Sequence, residues 1–255
     1  MERKDFIKNS LGLLGASLIV PKVLMSCKDS NVVNDCELWA SETEGPFPTK
    51  KPEDFLSKNI KGDRTGVEVT IKINVTNVDE SCQPLIGAIV DIWHCDKDGN
   101  YSQYGGMRMQ PIDYKSYKFL RGRNVEFNSI FPGWYESRAT HIHVHIYNAN
   151  GVSIKVTQIA FPEGENSVVE IVNSAKKYGY TKGLTGYTYN ANDNVFSDDT
   201  DGNQLAKVSG SLEKGYTIEA NIVISTENIE EAKEPMGGGL GMPPPFDRKP
   251  KDENN

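Results

Sequence analysis

Two histidines separated by one residue, His141 and His143, are the residues best suited to chemistry in this chain. They begin an apolar run that alternates as a β-strand does, with Ile142 and Val144 as its next apolar members. Side chains of a strand point alternately to opposite faces, so both imidazoles lie on one face, roughly 6.6 Å apart along the strand. Two imidazoles at this spacing can converge on one metal ion.

A third histidine, His145, continues the alternation but is too far away to complete a three-histidine site. It lies roughly 13 Å from His141 along a straight strand. A metal–nitrogen bond is only about 2 Å long, so these two side chains cannot bind the same ion. We therefore predict that His141 and His143 bind a metal, that His145 does not, and that the other ligands come from elsewhere in the chain.

Two tyrosines are the candidates for the other ligands. Tyr135 follows the turn-forming pair Pro132-Gly133, which can bring its phenol back towards the histidine face. Tyr101 follows a predicted strand and the turn-forming residues 98–100. A phenol has a pKa of about 10, so it binds a metal as phenolate chiefly when the ion is hard and trivalent. Two tyrosines with two histidines therefore indicate non-haem Fe(III).

Two other classes of protein stay open on these residues. A zinc or ferrous hydrolase, or an extradiol enzyme, would use His141, His143 and an acid such as Glu136 or Asp96. A non-catalytic, transthyretin-like β-sandwich that binds a ligand at the cell envelope is the alternative outside enzymology. Colour distinguishes them, because Fe(III) bound to tyrosinate gives a red-brown protein and both alternatives predict a pale one.

Five short motifs follow one another along the chain. They are T-E-G-P-F at 43–47, W-H-x-D-x-x-G at 93–99 with Tyr101 behind it, P-G-W-Y at 132–135, R-x-x-H-I-H at 138–143 and T-Q-x-x-F-P at 157–162. Together they resemble the intradiol ring-cleaving dioxygenases, relatives of the protocatechuate and catechol dioxygenases. The resemblance extends from about Cys36 to Ile224. It implies a non-haem Fe(III) enzyme that uses O2 to cleave a catechol-type aromatic diol to a cis,cis-muconate-type dicarboxylic acid.

The resemblance implies four iron ligands, which are Tyr101, Tyr135, His141 and His143. Tyr135 is implied to be the axial ligand that a catechol displaces, while Tyr101 stays bound. Arg138 lies three residues before the first histidine and is implied to stabilise negative charge on the substrate ring. A surface ion pair between Arg138 and Glu136 is the simpler alternative.

Residues behind and beside the ligands also receive roles from the resemblance. Gln158 is implied to be a hydrogen-bonding residue behind the ligands. Gly45, Pro46 and Phe47 are implied to line the substrate pocket, where Phe47 lacks the hydroxyl of the tyrosine that relatives often have. His94 is predicted to be structural, because a shift of one position along a strand reverses the face of the side chain. The identity of the catechol is not predicted by these residues.

The first 26 residues are predicted to be a signal peptide. A charged segment is followed by an apolar stretch, Leu11 to Val20, which is too short for an ordinary membrane span. Leu24-Met25-Ser26-Cys27 has the pattern of a lipobox, so we expect acylation of Cys27 after cleavage. A plain signal peptide or a buried core helix is the alternative. The prediction is an exported lipoprotein of the periplasm or cell envelope, with the lipid anchor as its only membrane contact.

Composition and cysteine content limit the class of protein, its partners and its possible disulfide. With 37% hydrophobic and 25% charged residues, the chain has the composition of a soluble globular domain. Its net charge of -7 argues against a nucleic-acid partner, because phosphate binding needs a basic surface.

An exported chain can form a disulfide, and Cys36–Cys82 is our first choice, with Cys95 left over, although spacing leaves the connectivity open. The oligomeric state also stays open.

The chain is predicted to be all-β. Many short strands between polar turns are typical of a sandwich or barrel, and the resemblance implies the two-sheet β-sandwich of the intradiol dioxygenase type with one short helix and long loops. The domain is expected to cover 36–228, between a linker at 27–35 and a disordered Gly/Pro-rich tail at 229–255. Apolar alternation predicts strands at 67–76, 87–93, 125–131, 141–147, 154–161 and 216–224.

Two further segments complete the expected fold. A helix is predicted over 167–178, with Ser167 and Glu170 as a capping box and Gly179 at its end. Residues 185–202 are rich in Asn, Asp, Gly and Thr, so they are predicted to form a long surface loop.

Overall fold

The computed structural model describes residues 36–45, 58–101 and 124–233. Within these ranges the regular structure is mostly β, with a single short α-helix, and the all-β prediction is confirmed. In chain order the elements are β1 (Glu68–Asn77), β2 (Gln83–Pro84), β3 (Ile89–Trp93), β4 (Asn124–Ile130), β5 (His141–Tyr147), β6 (Ser153–Ala160), α1 (Val168–Asn173), β7 (Lys207–Ser211) and β8 (Gly215–Ile224).

The strands form two sheets. In the larger sheet the order is β2-β1-β8-β7, and β4 also pairs with β1. β1 and β8 run parallel to each other, whereas the other strand pairs are antiparallel. The smaller sheet has the order β3-β5-β6, so β5 is hydrogen-bonded along both edges. This double pairing fixes the register of the strand that carries the candidate ligand histidines.

The hydrophobic core joins the inner faces of the two sheets. From β5 it takes Ile142, Val144 and Ile146, all fully buried. β1 contributes Val69, Ile71 and Ile73 in the alternating pattern expected from the sequence. Each such side chain stabilises the fold by about 1.5–3 kcal/mol when it leaves water. The opposite face of β5 is therefore free to carry polar side chains without weakening the core.

The six predicted strands are all present, and their ends differ from the predicted ones by no more than two residues. β2 and β7 were not predicted. β2 has only two residues, and β7 reads Lys-Val-Ser-Gly-Ser, which lacks apolar alternation. Both strands exist because neighbouring strands offer backbone hydrogen bonds, not because of their own side chains.

The helix has the predicted Ser167 cap, but Glu170 accepts from Asn166 and not from Ser167 as a capping box requires, and the helix ends early. The Ser167 hydroxyl accepts a hydrogen bond from the Glu170 N–H at 3.3 Å, and the Glu170 carboxylate accepts one from the Asn166 N–H at 2.6 Å. After α1 the chain forms a separate 3-10 turn, Lys176–Tyr178, which ends at Gly179 with φ of 92°. Three valines and an isoleucine in six residues make a poor helix former, and this accounts for the short helix.

Residues 185–202 differ from the predicted surface loop. Tyr187, Asp193, Val195 and Phe196 are all buried within it. Their side chains turn inwards although most of their neighbours are polar and exposed. The average composition of the stretch therefore hid a segment that packs into the domain.

The described part of the predicted tail contacts the domain through three ion pairs, one made by Glu230 and two made by Lys233, which pairs with both Glu42 and Asp198. Glu230 accepts a hydrogen bond from the Lys155 ammonium at 2.8 Å, and Lys233 lies 3.3 Å from the Glu42 carboxylate. The Lys155 ammonium also donates to the Trp39 carbonyl at 2.9 Å, so its buried charge has two oxygen acceptors. Burial without such partners would be costly for an ammonium group.

Cys36 and Cys82 form a disulfide with their Cα atoms 5.9 Å apart, which confirms the first choice of pairing, and Cys95 is a buried free thiol. The predicted signal peptide, linker and lipidation residue Cys27 lie outside the described residues, as do Pro46, Phe47 and the tail beyond 233. None of the helices in the described ranges has the length and apolar character of a membrane span.

Candidate metal centre and active site

Four side chains converge at one end of the smaller sheet. His141 and His143 come from β5, Tyr135 from the turn before it, and Tyr101 from the segment after β3. The two Nε2 atoms of the histidines are 3.0 Å apart, and each lies 3.2 Å from the Tyr101 hydroxyl oxygen. The Tyr135 hydroxyl oxygen is 3.3 Å from the His141 Nε2. The structure thus brings together all four residues that the sequence predicts as ligands.

These distances are those of donor atoms that share one ion. Two donors that are each about 2.1 Å from a metal, at an angle of roughly 90–110°, lie about 3.0–3.4 Å from each other. In the part of the chain that the structure describes, no cluster of three or more His, Cys, Asp or Glu side chains suits a metal. The phenol oxygens lie at the same distances from the histidine nitrogens as donors on one ion would, and this donor set fits a hard trivalent ion such as Fe(III).

Burial keeps both imidazoles neutral. Desolvation lowers the pKa of His141 and His143 well below 6.5, and the positive charge of Arg138 lowers both further. The His141 Nδ1–H donates to the Ala139 carbonyl at 2.6 Å, which leaves the lone pair of Nε2 directed at the cluster. A neutral imidazole with a free lone pair is the form that binds a metal.

His143 is oriented by packing. Its Nδ1 has no hydrogen-bond partner among the described residues. The imidazole stacks on the Trp93 indole, with ring centroids 4.9 Å apart and planes 3° from parallel. It also contacts the backbone of Gly45, where a Cβ atom would stand 2.6 Å from the His143 Cε1. Gly45, predicted to line the substrate pocket, therefore packs directly on a candidate ligand.

The two phenols have raised pKa values and different exposure. Burial raises the pKa of Tyr101 well above 10, and burial also raises the pKa of Tyr135, although the Arg138 charge opposes the second shift. Neither phenol ionises near neutral pH without a cation, and a metal ion reverses this preference. Tyr101 is buried whereas Tyr135 is half-buried, so Tyr135 is the ligand better able to move.

The turns that carry the two tyrosines are packed against each other. Gly133 donates its N–H to the Asp96 carbonyl at 3.1 Å, and a Cβ atom at Gly133 would collide with the Lys97 carbonyl. The Asp96 carboxylate accepts the N–H groups of Asp98 and Asn100, each at 2.9 Å, and so shapes the turn that leads to Tyr101. Glycine at 133 is thus required for the phenols to meet.

Arg138 extends from the start of β5 to the cluster. Its NH1 lies 3.4 Å from the His141 Nε2 and 3.5 Å from the Tyr135 hydroxyl oxygen. Its Nε pairs with Asp193 at 2.9 Å, and not with Glu136, which is exposed. The alternative of a surface ion pair with Glu136 is therefore wrong.

Gln158 lies on β6, next to the strand that carries the two histidines. It stands opposite His143 in the register of β5 and β6. Its side-chain oxygen accepts from the Arg138 NH2 at 2.6 Å, and its side-chain nitrogen donates to the Thr43 carbonyl at 3.1 Å. Gln158 thus connects the guanidinium to the segment that carries Gly45.

Asp193 is the residue of this site that the sequence did not reveal. It lies 55 positions from Arg138 along the chain, in a stretch where an aspartate is unremarkable. The apolar pair Val195 and Phe196 behind it is the local sign that this stretch turns inwards.

Neither acid named in the two-histidine-and-acid alternative joins the cluster. Asp96 pairs with Arg64 at 2.9 Å and holds its own turn, and Glu136 is exposed. His145 is occupied as well, because its Nε2 lies 2.8 Å from the Ser153 hydroxyl and its Nδ1 lies 2.9 Å from the Tyr147 hydroxyl. These contacts favour the tyrosine-containing ligand set.

Comparison with known proteins agrees with this geometry. The family model described as Dioxygenase matches residues 43–199. The chlorocatechol 1,2-dioxygenase of Rhodococcus opacus is 34% identical over an alignment of 162 residues. The alignment covers 50% of this chain and 58% of the relative, so the chain matches little more than half of that protein's length.

Solved structures give the same result. The intradiol ring-cleavage dioxygenase from Tetranychus urticae superposes with a TM-score of 0.66 at 25% identity, over 76% of this chain and 98% of the other. The dioxygenase domain of a dioxygenase carbohydrate-binding protein fusion from Streptomyces sp. SirexAA-E has a TM-score of 0.53 at 22% identity, over 74% and 99%, and shows the fold alone. The chain belongs to the family of the intradiol ring-cleavage dioxygenases.

Proposed function

We propose that this protein is a non-haem Fe(III) dioxygenase that uses O2 to cleave a catechol-type aromatic diol between its two hydroxylated carbons, giving a cis,cis-muconate-type dicarboxylic acid. The observation that carries the proposal is the convergence of two phenol oxygens and two imidazole nitrogens in one cluster, where His141 Nε2 lies 3.0–3.3 Å from the other three atoms and Tyr101 also lies 3.2 Å from His143 Nε2. Membership of the family supports the same reaction.

Charge balance supports a trivalent ion and a diol substrate. Two tyrosinates and one hydroxide neutralise Fe(III), and the histidines add no charge because burial keeps them neutral. A catechol can bind as a dianion if two groups accept its protons. When bound, Fe(III) would draw electron density from the diol and make a ring carbon reactive towards O2.

Tyr135 is the residue suited to accept one of those protons. It is half-buried, it comes from a turn, and its hydroxyl oxygen lies 3.5 Å from the Arg138 NH1, which can stabilise it during the exchange. Tyr101 is buried and lies close to both histidines, so it is suited to remain in place. The two tyrosines thus have different roles in the proposed reaction.

Arg138 supplies a fixed positive charge beside the reacting groups. Burial opposes that charge, but Tyr135 and Asp193 more than offset the effect, and the pKa of Arg138 is raised. The guanidinium is therefore positively charged at every pH of interest. Its NH1 is placed to stabilise negative charge on the substrate ring when O2 attacks.

A substrate panel tests the proposal. The purified protein should bind about one Fe(III), show a broad visible band from tyrosinate ligation, and consume O2 with at least one of catechol, a chlorocatechol, protocatechuate or hydroxyquinol. Product identification should give the ring-opened dicarboxylic acid. A colourless, zinc-loaded protein without iron-dependent O2 uptake would contradict the proposal.

We also propose that the protein is exported and attached to the membrane through a lipid on Cys27. The Cys36–Cys82 disulfide supports an oxidising compartment. Cys27→Ala should move the protein from the membrane fraction to the soluble fraction without loss of activity, because the lipobox precedes the domain. Continued membrane association of this variant would refute the anchor.

A further inference from the structure

Asp193 contacts the site through a carboxylate that accepts four hydrogen bonds. One oxygen accepts from the Arg138 Nε at 2.9 Å and from the Ala139 N–H at 2.7 Å. The other accepts from the N–H groups of Val195 at 2.8 Å and Phe196 at 3.3 Å. The side chain is fully buried, so water does not compete for these bonds. Asp193 thus connects the segment 185–202 to the start of β5.

These bonds limit how the guanidinium can turn. Its three nitrogens have three different neighbours, since Nε bonds to Asp193, NH2 bonds to Gln158, and NH1 faces the ligand cluster. A guanidinium is planar and rigid, so two fixed corners determine the third. The Phe196 ring, 5.8 Å from the guanidinium carbon, adds a packing contact from the same segment.

The hydrogen bond from the Ala139 N–H connects Asp193 to a second group of the site, His141. Asp193 holds the Ala139 N–H, and the carbonyl of Ala139 accepts the Nδ1–H of His141. That acceptor selects the tautomer in which the Nε2 lone pair of His141 is free. One carboxylate therefore acts on the guanidinium and on the peptide that orients a candidate ligand.

We infer that Asp193 is a positioning residue of the proposed reaction, which holds the Arg138 guanidinium in the one orientation that directs NH1 at Tyr135 and His141. The inference rests on the proposed function, and it gives the segment 185–202 a part in the chemistry. Asp193 acts through Arg138 and Ala139 and need not touch the substrate.

Asp193→Asn is the substitution that tests this role. An amide has one oxygen and one NH2, so it can accept from the donors on one side only and must present its own donors to the other pair. Asp199→Asn is the matched control, because Asp199 lies in the same segment and accepts the N–H groups of Asn203 and Gln204. Among the described residues it makes no hydrogen bond to Arg138 or Ala139, and we expect Asp199→Asn to leave kcat unchanged.

The expected result separates the two variants. Asp193→Asn should keep its iron content but lose about 10–100-fold in kcat, the range typical of groups that orient a metal site. Asp199→Asn should keep both its iron content and the wild-type kcat. In an Arg138→Ala background, Asp193→Asn should cause a smaller further loss of kcat than it causes in the wild type, because the guanidinium that it positions is gone and only its bond to Ala139 remains. Equal losses in Asp193→Asn and Asp199→Asn, or a full further loss in the Arg138→Ala background, would overturn the inference.

Arg138→Lys tests the orientation of the positive charge at position 138 without a change in the segment 185–202. It tests the positioning role if Asp193→Asn does not fold. Lysine keeps the charge but cannot bond to Asp193 and Gln158 through a rigid fork, so kcat should fall by a factor similar to that for Asp193→Asn. A wild-type kcat for Arg138→Lys would overturn the inference.

A measurement on metal-free protein distinguishes failure of this inference from failure of the proposed function. The Arg138 Nε–H should exchange slowly with solvent in the wild type, as followed by NMR, and faster in Asp193→Asn. Fast exchange in the wild type would overturn the positioning role whatever the enzyme does. Absence of O2 uptake by iron-loaded wild type would instead refute the proposed function.

Discussion

The two ends of β5 give the same residue type opposite roles. His141 and His143 direct Nε2 at each other and at two phenols, whereas His145, on the same face, has both ring nitrogens next to the hydroxyls of Ser153 and Tyr147. The strand presents all three imidazoles in the same way. The neighbours of each ring, and not the strand, therefore decide which histidine is a ligand.

Different neighbours reach the two ends because different segments lie there. At the His141 end, two turns packed together through Gly133 bring the phenols, and Asp193 anchors Arg138 from a distant segment. At the His145 end, β6 supplies Ser153, and the Tyr147 ring stacks on the imidazole with centroids 4.0 Å apart. A metal site needs converging lone pairs, and only the first end has them among the described residues.

The largest expected effect tests this difference directly. His141→Ala and His143→Ala should each lower iron affinity by more than about 100-fold, because each removes a donor atom, a greater change than loss of an outer hydrogen bond. His145→Ala should retain iron. Metal analysis after gel filtration measures the iron content of all three variants. Loss of iron in His145→Ala with retention in His141→Ala would show that the metal site lies at the His145 end of β5.

The next effect divides the two phenols. Tyr135→Phe should still bind some iron, alter the visible band and slow formation of the catechol complex, because it removes the group proposed to accept a proton. Tyr101→Phe should instead change the spectrum of the catechol complex itself. Stopped-flow mixing with a catechol, and then with O2, separates these steps. Slow catechol binding in Tyr101→Phe with an altered complex spectrum in Tyr135→Phe would reverse the roles.

Substitutions at two glycines test the same comparison with a smaller expected effect on iron affinity. Gly45 and Gly151 both have positive φ, of 73° and 80°, so alanine strains the backbone similarly at each. Only at Gly45 would the new Cβ meet His143, whereas nothing lies within 4 Å of one at Gly151, in the turn after β5. Gly45→Ala should lower iron affinity by about 10-fold or more, as expected for a displaced ligand. Gly151→Ala should lose only stability, and equal iron affinity in the two variants would contradict the packing role of Gly45.

The smallest expected effect concerns His94, another histidine whose two ring nitrogens are both occupied. Its Nδ1 lies 2.7 Å from the Cys95 carbonyl and its Nε2 lies 2.9 Å from the Ser129 hydroxyl. Burial lowers the pKa of His94 from 6.5 to about 4. The unfolded chain therefore takes up a proton near pH 6.5 that the folded chain takes up only near pH 4, and stability is lost as the pH falls through this window.

The free energy of unfolding of the metal-free protein should fall by about 0.7 kcal/mol from this residue between pH 7 and pH 6. Urea titrations at several pH values measure the slope. His94→Gln should make the slope shallower, since it removes one group that the unfolded chain protonates more readily. An unchanged slope in that variant would show that His94 does not remain neutral in the fold.

Much of the fold and of the ligand set was predictable because it depends on short-range patterns. An H-x-H spacing places two imidazoles on one face of any strand, and apolar alternation located six strands to within two residues. The same reasoning set His94 and His145 apart from the ligands. Tyr101 and Tyr135 were identified through turn residues and through the resemblance of short motifs to a known family.

Other features depended on which distant segments meet. The parallel pairing of β1 with β8, the packing of Trp93 and Gly45 on His143, and the burial of Asp193 all join residues far apart in the chain. An aspartate in an exposed polar loop cannot be distinguished by sequence from a buried one. The same carboxylate can be solvated by water or paired with Arg138.

The amino-acid sequence by itself determined which atoms could bind a metal and on which face of β5 they lie. Tertiary structure alone decided that Asp193, and not Glu136, pairs with Arg138, and that His143 is held by an indole and a glycine backbone. The physical reason is that strand periodicity is a local property of the backbone. The partner of a buried charge, by contrast, is decided by the folding of the whole domain around it.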